Sequence, residues 1–233
     1  MWLNFELCLF RENMLTIVKT IIKKIFPKLA LHYSAYKSLI KNENSFLYFT
    51  GWMKSLEKSR PLDKEGNQAP WMIYPVTEFL KDRLKNDLHI FEFGSGYSTS
   101  FIARLVQTVT SVEYEKYWLQ LVNETAPKNV KLIYKEMDID GGYCRTINST
   151  GHQYDVVVVD GRDRVNCIKQ SFKALSERAV VLLDDSQRGR YRECIDYAKE
   201  KGFRTLDFVG LRPQKSGIGK ATLFYRNENC LNI

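Results

Sequence analysis

Paired cysteines, long apolar runs and a third glycine in its glycine-rich turn are what this 233-residue sequence lacks, and each absence removes a class of protein. The five cysteines (Cys8, Cys144, Cys167, Cys194 and Cys230) are odd in number, widely spaced and include no Cys-x-x-Cys pair. That pattern fits neither a zinc ribbon nor a redox dithiol, and it does not suit a disulfide framework. A reducing compartment, the cytoplasm, is therefore the expected setting. No run reaches the roughly 18 apolar residues that a membrane-crossing helix needs. Glu6, Arg11 and Glu12 interrupt the apolar start of the chain and no small-residue cleavage site follows, so no secretion signal is read there. Internal repeats and low-complexity tracts are absent as well.

The composition is that of a globular protein, with 44% hydrophobic and 27% charged residues and a formal net charge of +8. Such a charge permits contact with nucleic acid, anionic lipid or an acidic substrate and selects none of them. The basic residues are scattered, so a solvated basic surface is the plain reading, and no specific nucleic-acid partner is expected. The length suits one α/β domain, placed at 71–233, preceded by a helical extension and irregular connection over 1–70.

Within the extension, Leu15, Val18, Ile22 and Ile25 recur at helical spacing over 14–26, with Lys19, Lys23 and Lys24 mostly on the other side. Pro27 is expected to end this helix. A basic amphipathic helix can lie on the inner membrane surface or pack on its own domain or a partner subunit, so peripheral membrane contact and a homo-oligomer both stay open. Residues 42–70 are polar and turn-rich and read as an irregular connection, and 71–85 reads as a helix. Apolar segments at 89–93, 109–113, 130–134, 155–160, 179–183, 205–209 and 221–225 then alternate with helical patterns, which predicts a doubly wound, mainly parallel sheet. The unbroken valines of 155–160 suit a strand buried on both faces.

The strongest local signal is His89-Ile-Phe-Glu-Phe-Gly-Ser-Gly-Tyr-Ser-Thr-Ser, a strand followed by a glycine turn and a helix. Glycines there let the backbone approach a ligand with no Cβ in the way. Glu113 ends the next strand, 19 residues after Gly94, where a Rossmann-like site places a carboxylate for ribose hydroxyls. A dinucleotide fingerprint would carry a third glycine where this chain has Thr99, which argues against a pyrophosphate cradle. Glu92, two residues before the first glycine, suits a cofactor with a cationic end rather than a diphosphate.

On these residues the stretch from about 71 to 226 resembles the class I S-adenosylmethionine-dependent methyltransferases. The resemblance implies S-adenosylmethionine as cofactor, with Glu92, Gly94, Ser95, Gly96, Ser98, Thr99 and Glu113 around it and Asp138 or Asp140 toward the adenine. It also implies a closing hairpin, hence a seven-stranded sheet with one antiparallel strand. Asp160, together with Asp184 and Asp185, resembles the metal-binding acids of the catechol-type O-methyltransferases, which would hold Mg²⁺. The alternative is that these acids cap loops or pair with Arg162, Arg164 or Arg188. No lysine matches the base of that enzyme, and Asp160, then Asp163, are the candidate bases. His32, His89 and His152 are read as structural. Trp71, Tyr74 and Pro75 fall where this fold covers its acceptor, with core packing as the plainer role. Arg212, Lys215 and Lys220 are placed to meet an anionic acceptor.

The leading expectation is O-methylation of a small-molecule or saccharide hydroxyl. A nicotinamide-dependent oxidoreductase is the second reading, and a non-catalytic basic protein binding membrane or nucleic acid the third. No Asp/Asn-Pro-Pro-aromatic motif of the nucleic-acid amino-methylating enzymes is present.

Overall fold

The computed structural model describes residues 24–233 together with Met14, Thr20 and Ile21. Cys8 and most of the expected 14–26 helix lie outside the described residues; Met14, Thr20, Ile21, Lys24 and Ile25 are helical. Seven strands form one sheet: β1 (His89–Phe93), β2 (Thr108–Glu113), β3 (Val130–Tyr134), β4 (Tyr154–Val159), β5 (Leu175–Leu183), β6 (Arg204–Gly210) and β7 (Gly219–Tyr225). Their order is β3-β2-β1-β4-β5-β7-β6, with β7 antiparallel to both of its neighbours. This is the expected doubly wound architecture with one reversed strand.

The valine run explains the layering. Along β4, Val156 and Val158 point into one apolar cluster, and Val157 and Val159 into the other. Successive side chains of a strand face opposite ways, so a strand covered on both faces must be apolar at every position. Helices α4 (Tyr74–Arg83) and α5 (Tyr97–Ala103) cover the first face through Val76, Leu80 and Ile102. Helices α7 (Gly142–Ser149), α8 (Arg164–Ser171) and α9 (Arg192–Glu200) cover the second through Tyr143, Ile147, Ile168 and Cys194. The remaining helix of the domain, α6 (Lys116–Thr125), follows β2.

Register positions the site. Phe93 of β1 pairs with Val112 of β2 and Val159 of β4, and Val159 pairs with Leu183 of β5. The carboxyl ends of these strands are therefore level, and the chain leaves them at Gly94, Asp160 and Asp184 along one edge. The connections after β1 and β4 run to opposite sides of the sheet, the switch point at which open α/β sheets bind ligands.

The helical residues before Pro27 stop at Ile25, with Phe26 non-helical at φ −125°, and Pro27 opens the next helix, α1 (Pro27–Ile40), because proline at the first helical position loses no intrahelical bond. Two expectations are corrected. The stretch 42–70 is not wholly irregular: it holds α2 (Phe46–Phe49) and α3 (Trp52–Lys58), with the buried Ser55 hydroxyl bridging Gly51 and Leu62. Helix α7 went unread since Gly-Tyr-Cys-Arg-Thr-Ile-Asn-Ser has poor helical propensity. It forms because Tyr143 and Ile147 bury against the sheet and Asp138 caps its first turn.

Among the described residues no helix is long and apolar enough to cross a membrane. Leu182, 1% exposed between the two central strands' neighbours and α4, tests the core. Leu182→Ala should cost about 2–5 kcal/mol in denaturant unfolding, the range for an unrelaxed core cavity.

Candidate active site

At the end of β1 the chain turns at Gly94 with φ +93°, and its amide donates to the carbonyl of Val112 at 2.9 Å. A Cβ on Gly94 would sit 2.8 Å from the Cα of Gly161, in the loop after β4. A Cβ on Gly161 would in turn lie 3.0 Å from the Gly94 nitrogen and 2.1 Å from the Tyr143 hydroxyl. The two loops thus cross backbone on backbone, and both residues must be glycine. Gly96, the second glycine of the turn, has room for a Cβ, whose nearest neighbour would be Trp118 at 3.7 Å.

Two carboxylates hold this turn. Glu92 is completely buried and accepts hydrogen bonds from the hydroxyls of Ser98 (2.5 Å), Thr99 (2.5 Å) and Ser111 (3.0 Å). It does not line the cavity beside the turn; it fixes the start of α5 from below. Burial pushes its pKa up to about 7, against the pull of those three hydroxyls. Glu113 accepts from the backbone N–H of Ser95, Tyr114 and Glu115, each at 2.9 Å. Its Oε2 takes only the Ser95 bond and so keeps an acceptor position for a ligand. Burial raises its pKa as well, opposed by the three amides.

These residues enclose a cavity of about 380 Å³, within the ordinary range for a small-molecule site. Gly94, Ser95, Gly96 and Ser98 form its floor, Glu113 and Tyr114 one wall, and Asp160, Gly161 and Arg162 the other. Trp118 closes the side, its indole N–H donating to the Ser95 carbonyl at 2.6 Å, and Trp71 and Arg188 stand at the rim. Thr99 lies behind the loop, where its hydroxyl accepts from the Gly96 amide at 2.9 Å while donating to Glu92.

The strand-end acids do something other than expected. Arg164, only 7% exposed, donates to the Asp160 carboxylate (2.8 Å), the Asp160 carbonyl (2.9 Å), the Gly161 carbonyl (3.0 Å) and the Asp184 carbonyl (2.5 Å). Asp185, in a left-handed turn at φ 55°, is gripped by Arg188 and by Arg212 at 2.5 Å. Burial works to raise Asp185, but the Arg212 bond and the surrounding arginines hold its pKa below the usual range. Asp184 is buried, and that burial together with the charges of Asp160 and Asp185 shifts its pKa strongly upward. Asp160 is raised too, by burial, with Arg164 opposing and a hydrogen bond from Asp184 helping to keep it ionised.

This corrects the Mg²⁺ expectation. Among the described residues no group of three or more His, Cys, Asp or Glu is placed to hold a metal. Of the three proposed ligands, Asp160 pairs with Arg164, and Asp185 with Arg188 and Arg212, so these carboxylates are engaged by guanidinium groups. Asp163 and Asp138 also lie off the cavity. Asp163 accepts from the Asp140 amide at 2.9 Å and from Asn166 at 2.8 Å. Asp138 caps α7 through the amides of Gly142 (2.5 Å) and Tyr143 (2.9 Å), which lower its pKa. Arg212 is committed to Asp185 and Lys220 to Asp207, so neither is free for an acceptor. His152 sits in the loop before β4, at the sheet's opposite edge, and Tyr74 is buried while Trp71 reaches the cavity.

No protein-family model and no curated protein sequence matches this chain. Among solved structures it is similar to the precorrin-6y C5,15-methyltransferase of Geobacter metallireducens GS-15, with a TM-score of 0.50 at 15% identity, over 70% of this chain and 95% of that one. The fold is that of the class I methyltransferases. SMU.1697c of Streptococcus mutans, solved in complex with SAH, gives 0.49 at 14% identity over 64% and 94% of the two chains.

The structure brings Gly94, Ser95, Gly96, Ser98 and Glu113 together around one cavity. Gly161, Arg164, Tyr114 and Trp118 were not foreseen as site residues. Gly161 had a signal, a glycine one residue past a buried strand, whereas the reach of Arg164 across two loops had none. The buried Glu92 makes a pH prediction. Its folded-state pKa of about 7 exceeds the ordinary glutamate value of 4.5, so the folded state holds the proton more tightly. The associated stability is complete below about pH 4.5 and is lost as pH rises through about 7. Melting temperatures from about pH 5 to 8 should therefore decline less in Glu92→Gln than in the unsubstituted protein; parallel declines would show that Glu92 does not titrate in this window.

Proposed function

We propose that the protein is an S-adenosylmethionine-dependent methyltransferase acting on a hydroxyl oxygen of a small molecule or saccharide. One observation carries the reading: the glycine turn, the Glu113 carboxylate and the Asp160 carboxylate face a single cavity at the switch point of the sheet. The residues fit the cofactor. Gly94 and Gly96 leave the backbone bare for its amino-acid end, Glu113 retains an acceptor for ribose, and Tyr114 and Trp118 offer aromatic surface. When bound, S-adenosylmethionine supplies an electrophilic methyl group.

The chain itself then has two tasks. The first is alignment, which accounts for most of the acceleration of an in-line displacement. The second is removal of the acceptor's proton, for which Asp160 is the candidate base. Burial makes it more basic than an ordinary aspartate, and Arg164 fixes its orientation. Asp184 behind it supplies a hydrogen bond, and burial shifts its own pKa upward. Arg162, on the other wall, donates to the Tyr114 hydroxyl at 3.2 Å and has no carboxylate partner among the described residues. That guanidinium favours an acceptor carrying a negative substituent.

Calorimetric titration with S-adenosylhomocysteine should show micromolar binding, and Glu113→Ala should weaken it about 10–100-fold, the worth of a hydrogen bond to a charged group. Binding of NADH in its place, or of neither ligand, would overturn the reading. With an acceptor found by screening, Asp160→Asn should lower the methyl-transfer rate by about 10²–10⁴ while leaving S-adenosylhomocysteine affinity within a few-fold.

A further inference from the structure

Helix α1 takes no part in the core. None of its residues is buried, and Leu29, Tyr33, Tyr36 and Leu39 stand 63%, 66%, 47% and 49% exposed. Single exposed apolar residues are ordinary on a protein surface, but a contiguous stripe is not. Leu29, Tyr33, Tyr36 and Ile40 recur at i, i+4, i+7 and i+11 and so share one side of the helix. At about 100° per residue, Lys28 and Lys37 fall on the two borders of that stripe, and Ser34, Ser38 and the 68% exposed Leu31 fall on the opposite side. Ile25 and Phe26, 61% and 58% exposed, add apolar surface just before it.

The charge around this stripe is of one sign. From 14 to 41 the sequence has six lysines and no Asp or Glu. Among the described residues, Lys24, Lys28, Lys37 and Lys41 form no ion pair with a carboxylate. A second copy of the chain would cover the apolar stripe only by bringing the same lysines against these, and like charges across an interface are unfavourable. An occupant that is apolar in depth and negative at its surface satisfies both features.

We propose that α1 docks on an anionic lipid bilayer, lying in the interface with Leu29, Tyr33, Tyr36 and Ile40 toward the acyl chains and the flanking lysines among the headgroups. Lysine stems reach outward from such a position while their ammonium groups stay in the polar layer, and tyrosine suits the boundary with its apolar ring and polar tip. The helix lies on the bilayer and does not cross it, since no helix of the described residues is long and apolar enough to span. The proposal does not depend on the chemistry assigned to the cavity.

The test is co-sedimentation of the full chain with vesicles of phosphatidylcholine alone and of phosphatidylcholine mixed with phosphatidylglycerol. Three proteins are compared: the unsubstituted chain, Lys28→Glu/Lys37→Glu, and Leu29→Ser/Tyr33→Ser. Binding is expected only to the anionic vesicles, at least about tenfold weaker in the charge-reversed variant and also weakened in the polar one. Both variants should keep the melting temperature and S-adenosylhomocysteine affinity of the parent, because α1 buries nothing in the core. Absence of vesicle binding, or equal binding to neutral vesicles, would overturn the proposal. So would a concentration-dependent dimer, seen by light scattering, that Leu29→Ser/Tyr33→Ser abolishes.

Discussion

The candidate site depends on one steric constraint, the crossing of two loops at Gly94 and Gly161. The carboxyl ends of β1 and β4 are adjacent and level, so the chain segments leaving them compete for the same space. They share it because neither carries a side chain at the crossing. A Cβ at either position would fall within about 3 Å of the other loop's backbone, closer than atoms in packed proteins lie. With the crossing made, the turn after β1 faces Glu113 on one side and Asp160 on the other. Three strand ends then form one cavity wall.

Carboxylates of similar appearance in the sequence take three different roles around that crossing. Glu92 is sealed beneath the turn by three hydroxyls and positions α5. Glu113 ties the turn to β2 through backbone amides yet still faces the cavity. Asp160, Asp184 and Asp185 form a row that would repel itself if all three were charged. The structure relieves it with Arg164, Arg188 and Arg212, while burial shifts the Asp184 pKa upward. Arginine side chains balance this edge. Arg164 also joins the loops after β4 and β5 by binding their carbonyls, so its removal would leave several buried acceptors unpaired.

The α/β domain and α1 follow opposite logics. In the domain the apolar faces of the central strands meet those of their covering helices. In α1 an apolar stripe is left facing outward, bordered by Lys28 and Lys37, which form no ion pair among the described residues. Stability explains the first arrangement; the second is what the proposed lipid contact accounts for.

What the sequence determined by itself is the fold, the glycine turn and its acidic partner. Strand alternation, the buried valines of β4 and the spacing from Gly94 to Glu113 are local patterns, and each states its environment directly. The reversed last strand was readable because the closing hairpin came with the family resemblance. Tertiary structure decided the rest. Helix α7 forms against its propensity because Tyr143 and Ile147 are buried, and burial is a property of the assembled sheet. Asp163 and Asp138 looked like site residues but turn aside to satisfy backbone amides in neighbouring loops. Whether a carboxylate binds a metal, holds a proton or pairs with arginine depends on which charges lie within a few ångströms, and for Asp160, Asp184 and Asp185 the deciding partners come from residues up to 27 positions away in the chain. Local pattern encodes local structure. The electrostatics of a site belong to the fold.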